Sequence, residues 1–198
     1  MSEGLRSQKK QETRRNISDV ATRLFIREGF EEVTIADIAV AARVAKMTVT
    51  NHFPRKEDLV FDARADFVAW PGTAIKEGAL SDVREAYFDA LATKHAFVGF
   101  SGRAFVRMIK ESPTLVAALR ELHREREETL TDVLIPRRPG DNLGPVLAAA
   151  HLGAVLRVLF TEVFEQTAEG VAADDIEREV KAAAVEAFGQ LEPMLSGY

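Results

Sequence analysis

Cysteine is absent from the 198 residues, which excludes disulfides and thiolate metal sites and fits a reducing cytosol. No convincing strand pattern, internal repeat or low-complexity linker is present. A glycine-rich phosphate loop, a nucleophile–base pattern and a metal-ligand spacing are all missing, so no catalytic residue, metal or cofactor is expected. His95, His123 and His151 each fall on an expected helix without a carboxylate or second histidine in ligand spacing. Long apolar runs are lacking too. The longest, Val146 to Leu156, is interrupted by His151 and closely followed by Arg157, short of the roughly 20 residues that span a bilayer. No apolar stretch follows the basic N-terminal residues, so no secretory signal is expected. A soluble cytoplasmic protein without a membrane partner is the expectation.

What is present suffices for a packed interior, since 46% of the residues are hydrophobic. The net charge of -5 argues against nucleic acid only as an average. Residues 1–56 carry 11 Lys+Arg against 7 Asp+Glu, a balance of +4, and the rest carry -9. Because charges beyond about 8–10 Å are screened at physiological salt, a basic N-terminal quarter can still hold a phosphate backbone locally.

Helical periodicity dominates, and the fold class is all-α. Helix 1 is expected from about Gln11 to Glu28, with Ile17, Ala21, Leu24 and Phe25 inward and Gly29 as its stop. Helix 2 begins at Thr34, whose hydroxyl can cap Asp37 while Asp37 reaches back. Its inward residues are Ile35, Ile38, Ala39 and Ala42. After the turn Arg43-Val44-Ala45, helix 3 covers Lys46 to Phe53 with Val49 and Phe53 inward. A fourth helix, Glu57 to Trp70, is expected to stop at Pro71-Gly72. Beyond it come helices from Ser81 to about Phe100, Arg103 to Glu111 and Pro113 to about Ile135, the last with Leu115, Leu119, Leu122, Leu130 and Val133 inward. The run Arg120 to Glu128 alternates charge and reads as a solvated face. Loops are expected at 137–142 and 170–173. The final helices cover about Pro145 to Gln166 and Asp174 to Leu191. The first of these is apolar nearly all round and must be covered on more than one face. The second offers Ile176, Val180, Ala183, Ala184, Ala187 and Leu191 as a stripe for close approach. Periodicity alone leaves two readings, a subunit interface or the centre of a monomeric bundle.

Residues 34–59 (TIADIAVAARVAKMTVTNHFPRKEDL) pack two short helices around a tight turn, the grammar of a helix-turn-helix. With Val49 and Phe53 holding helix 3, Lys46, Met47, Thr48, Thr50, Asn51 and His52 are left to face DNA. Thr34 and Lys56 flank this surface at two helix N-termini, where amides and dipole favour a phosphate. Lys46 and Lys56 can neutralise charge, while Thr48, Thr50 and His52 can donate to phosphate. Asn51 can pair with adenine, and Met47 can touch a thymine methyl.

Leu24-Phe25, Gly29-Phe30, Thr34-Ile35, Asp37-Ile38-Ala39, Ala41-Ala42, Val44, Lys46, Thr48, Phe53-Pro54, Lys56-Glu57 and Leu59 stand in one continuous register. In that register the stretch from about Arg14 to Leu59 resembles the N-terminal domain of the tetracycline-repressor (TetR) family of bacterial transcription regulators. Four positions depart from the family pattern. Arg43 replaces a turn glycine and can add a cation near the DNA backbone. Ala45 replaces the hydroxyl cap of helix 3, Thr50 a common aromatic, and Met47 a small residue.

The resemblance implies a three-helix DNA-binding domain at residues 1–56. A connecting helix at 57–70 would join it to a helical ligand-binding and dimerisation domain that completes 57–198. It further implies a homodimer through the last two helices, two recognition helices on a palindromic double-stranded DNA operator, and a small, largely apolar effector that shifts the connecting helix. A repressor is implied over an activator. Trp70, Tyr87, Phe88, His95, Phe97, Phe100, Arg103, Phe105 and Met108 are candidates to line the effector site, against the plainer reading of aromatics at helical spacing as core. The rival functions are an all-α adaptor without DNA binding and an all-α enzyme.

Overall fold

The computed structural model describes residues 2–76, 79–141 and 143–195. Among these, all regular structure is helical, in line with the all-α expectation. The α-helices are α1 (Ser2–Glu28), α2 (Ile35–Ala41), α3 (Lys46–His52), α4 (Arg64–Ala74), α5 (Ala79–Ala92), α6 (Arg103–Glu111), α7 (Pro113–Leu134), α8 (Gly144–Glu169) and α9 (Ala173–Leu195). Short 3₁₀ turns occupy Lys56–Leu59, Ala96–Val98 and Ile135–Arg137. The chain forms two compact units, residues 1–64 with 107–118, and 65–106 with 119–198. The division thus falls after residue 64 rather than 56, and the end of α6 with the start of α7 goes to the smaller unit. Asn142, the last residue of the expected 137–142 loop, lies outside the described residues.

In the smaller unit, α1 buries Ile17, Ala21, Leu24 and Phe25, and Gly29, at φ 94°, ends it. Burial of these side chains holds the short helices α2 and α3, which are too brief to persist alone. Thr34 caps α2 reciprocally: its hydroxyl accepts from the Asp37 amide at 3.2 Å, and the Asp37 carboxylate accepts from the Thr34 amide at 2.9 Å. The end of α2 is a Schellman turn. Val44 N–H donates to Ala39 and Arg43 N–H to Val40, with Arg43 left-handed at φ 56°. That backbone conformation costs an arginine roughly 1 kcal/mol relative to glycine. The corner between α6 and α7 is fastened within this unit by Ser112, whose buried hydroxyl donates to Glu31 Oε1 at 2.6 Å.

In the larger unit, α8 and α9 lie along each other and α5 packs on α9. Their shared core includes Tyr87, Leu91, Leu152, Leu156, Val163, Val180 and Phe188. As a whole helix, α8 is long and apolar enough to cross a membrane by length and composition alone, a test that a buried core helix also passes. Its buried residues, among them Ala148, Leu152, Leu156 and Val163, build the core of the unit. On α9 the buried stripe is Ile176, Val180, Ala184, Phe188 and Leu191, continued by Leu195. Ala183, expected inward, is exposed because steps of four and three residues carry the stripe past it.

Three further expectations are corrected. The helix expected over Glu57–Trp70 is a 3₁₀ turn, a break, and then α4, which continues through Pro71 to Ala74. Pro71 and Gly72 are buried, and a Cβ on Gly72 would lie 3.1 Å from Val133 Cγ2. This pair therefore serves close packing against α7 rather than termination. The helix expected to reach Phe100 stops at Ala92, where His95 N–H donates to Ala90 and Lys94 takes φ 52° in a second Schellman turn. Gly99 follows at φ 108°, where a Cβ would sit 2.7 Å from the Phe160 carbonyl oxygen. Finally, the run Arg120 to Glu128 is not solvated throughout: His123 and Arg126 are 8% and 1% exposed. The spacing Leu115, Leu122, Arg126, Leu130 puts them on the inner stripe of α7.

Candidate nucleic-acid interface

The α3 surface is built from the inside out. Val49 and Phe53 are 0% and 1% exposed and fix the helix on its scaffold. The opposite side then presents Lys46, Met47, Thr50 and Asn51 to solvent, with Met47 69% exposed. A thioether left so open in a packed domain is apolar surface available to a partner. Thr48 and His52 are half-buried at the edges of this face. Thr50 turns its hydroxyl back to the Met47 carbonyl at 3.2 Å, which leaves its methyl group outward. Ala45 has the extended backbone of an N-cap, at φ -71° and ψ 146°, but no side-chain cap.

The phosphate candidates differ in how free they are. Arg43 and Lys46 are exposed at the turn and at the start of α3. Thr34 has its hydroxyl engaged, donating to Asp37 Oδ2 at 2.6 Å, so a phosphate contact would have to share it. Lys56 is turned inward. Its ammonium donates to the Phe30 and Glu31 carbonyls and stands 4.4 Å above the Phe30 ring. Burial lowers its pKa, opposed by Glu31, Glu32 and Glu57. Lys56 thus clamps the turn after α1, a role that its place at a helix start did not reveal.

Two basic residues of α1 complete the surface and were missed in the sequence. The Arg14 guanidinium lies 4.1 Å over the Phe53 ring and donates to the His52 carbonyl, bracing the C-terminal end of α3. Lys10 is exposed, and together with Arg14 it adds to burial in holding the His52 pKa below its ordinary value. That lowering favours the neutral, hydrogen-bonding imidazole over the cation. Arg14, His52, Pro54, Arg55, Asp58, Phe61 and Arg64 line a cleft of about 320 Å³ beside it. The one available signal was that Lys10 and Arg14 recur at helical spacing in a basic segment.

The effector candidates are dispersed. Trp70, His95 and Phe97 join a ring cluster with Phe67: Phe97 lies 6.0 Å from Phe67, 6.2 Å from Trp70 and 4.4 Å from His95. Tyr87 and Phe88 pack instead on Phe188, at 5.6 and 6.1 Å. Burial pushes the Tyr87 phenol up, and its hydroxyl has no hydrogen-bond partner among the described residues. Phe100 is core, and Phe105 is half-buried. Arg103 is exposed and donates from Nε to the Ala168 carbonyl at 3.0 Å. Met108 belongs to the smaller unit.

Residues 17–63 match the family described as bacterial regulatory proteins, tetR family. The HTH-type transcriptional regulator TcmR of Streptomyces glaucescens is 29% identical over 180 residues, 80% of this chain and 76% of that protein. Among solved structures, NalD, the secondary repressor of the MexAB-OprM multidrug efflux pump in Pseudomonas aeruginosa, shares the fold over 96% of this chain and 97% of its own, with TM-score 0.56 and 17% identity. SmeT in complex with triclosan gives a TM-score of 0.60 over 90% and 91% of the two chains at 16% identity. The exposed face of α3, its scaffold and these relatives lead to one conclusion: residues 17–63 form a helix-turn-helix domain of the tetR type, and the chain is similar over most of its length to DNA-binding transcriptional regulators.

Proposed function

We propose that the chain is a cytoplasmic, dimeric repressor that leaves a palindromic operator when a small, largely apolar molecule occupies its larger unit. The observation that carries the DNA part is the exposed face of α3, with Lys46, Met47, Thr50 and Asn51 outward and Val49 and Phe53 fully buried behind them. In this reading Arg43 and Lys46 neutralise phosphates, Asn51 pairs with adenine, and Met47 and the Thr50 methyl meet thymine methyls. Thr48 and His52 contribute edge contacts, Thr34 a shared one, and Lys56 holds the scaffold. Exposed Leu147 and Val158 on α8, with Val185 on α9, support a second copy as the partner of that face. The effector reading is supported by the ring cluster of the larger unit and by the triclosan bound to SmeT, a relative in fold.

Selection of bound duplexes from a random pool tests the proposal. A palindromic consensus should emerge, with affinity falling steeply as salt rises. Asn51→Ala should relax one position of each half-site at a cost of about 1–3 kcal/mol, leaving the salt dependence in place. A pool that enriches no palindrome would defeat the repressor reading.

A further inference from the structure

Helix α7 buries a cation that the described residues do not neutralise. Arg126 is 1% exposed. Its Nη2 lies 3.0 Å from His123 Nδ1, its guanidinium stands 4.9 Å over the Phe67 ring, and its Nε has no hydrogen-bond partner. The one charge that perturbs it is Arg157, of like sign. Arginine only donates, so His123 Nδ1 accepts and the imidazole proton sits on Nε2. His123 therefore orients the guanidinium and brings it no counter-charge. His123 stays neutral here, with its pKa lowered to about 3 by burial, then by Arg126 and Arg157. The guanidinium is lowered to about 9 and remains charged at neutral pH. A buried ion with an unpaired N–H and no counter-charge is costly, and a fold retains one where something else completes it.

The surroundings indicate what completes it. The His123 ring is 5.4 Å from Phe67 and 4.9 Å from Phe160, and these two rings are 5.8 Å apart. Trp70 and Phe97 border the cluster and are only half-buried, with exposed His95 beyond them. The charge therefore lies at the inner end of an aromatic cluster whose outer edge meets solvent.

We propose that Arg126, with His123, is the anchoring site for the carboxylate of a monoanionic aromatic effector, whose ring packs among Phe67, Trp70, Phe97 and Phe160. The anion would accept from Arg126 Nε–H, while His123, accepting from Nη2 of the same guanidinium, orients it and the rings supply the apolar contact. This names the chemical class of the effector and rests on the reading that the larger unit holds one.

Two matched pairs test it in the full-length protein, cinnamate against cinnamamide and 1-naphthoate against 1-naphthamide. Trp70 is the only tryptophan, so quenching of its fluorescence reports binding at this cluster. In the unaltered protein each carboxylate should bind at least about tenfold more tightly than its amide. Arg126→Met should abolish that preference and leave the apo protein as stable as the parent or more so. Arg126→Lys, which keeps the charge, should retain part of the preference and serves if the methionine variant does not fold. An amide bound as tightly as its carboxylate overturns the proposal and leaves a neutral effector standing, and failure of all four compounds to quench Trp70 overturns it as well. A carboxylate that binds through Arg126 but leaves operator affinity unchanged confirms the anion site and removes the effector reading instead.

Discussion

His123 illustrates how one side chain can write itself into the stability of the protein. Its imidazole resists protonation until about pH 3, while the unfolded chain takes up the proton near 6.5. The unfolded state therefore binds more protons between these values. Stability from this group is complete above about 6.5 and declines as pH falls through the window toward 3, at a slope of up to about one proton. The denaturant midpoint should drop between pH 7 and pH 5, ahead of the carboxylates, and His123→Gln should flatten the drop. Equal pH dependence of parent and variant would show that the imidazole is not held neutral. The same position shows why its neighbour escaped notice. Arg126 sits in a stretch dense with charge, Arg120 to Glu128, and periodicity alone did not rank an arginine as inward. The inward turn of Lys56 is hidden for a related reason: a lysine at a helix start attracts a phosphate interpretation, and nothing local announces the Phe30 and Glu31 carbonyls 26 and 25 residues away.

Among elements, the α2–turn–α3 segment was the most legible, because its structure is written in short-range chemistry. The Thr34–Asp37 cap, the inward Ile38, Ala39, Val49 and Phe53, and the strained Arg43 all follow from residues within a few positions of one another. Less legible were α4 and α5. Pro71-Gly72 reads locally as a terminator, yet its role is set by the distant Val133. The early end of α5 depends on Lys94, a residue that carries no usual left-handed signature. Lys94 is held there by ion pairs to Asp174 at 2.7 Å and Glu177 at 3.3 Å. The turn between α2 and α3 yields a prediction of opposite signs. Arg43→Gly should relieve the left-handed backbone and raise stability by about 1 kcal/mol, read as a higher unfolding midpoint. It should also weaken binding to any duplex and make the salt dependence shallower. A midpoint below that of the parent would show that the arginine side chain contributes more to the fold than its backbone strain removes.

On the scale of the whole molecule, the two units carry separate tasks in the proposed reading, and they carry charge of opposite sign. The basic balance lies with the recognition helix, and the acidic remainder disfavours indiscriminate wrapping of DNA. The larger unit also exposes apolar side chains, among them Leu147, Val158 and Val185, the two valines 58% and 49% exposed. Val158→Glu with Val185→Glu should convert a sedimenting dimer into a monomer and lower operator affinity by orders of magnitude, with the helical content intact. A double variant that still sediments as a dimer would place the interface on another face.

That apolar face also has a genetic consequence. It belongs to the larger unit and α3 to the smaller, so in the proposed dimer a chain crippled in α3 keeps its capacity to pair. Such a chain, made alongside the intact one, draws good copies into mixed pairs with a single working reader. Lesions in α3 should therefore behave as dominant alleles, whereas lesions that remove the valine face should be recessive.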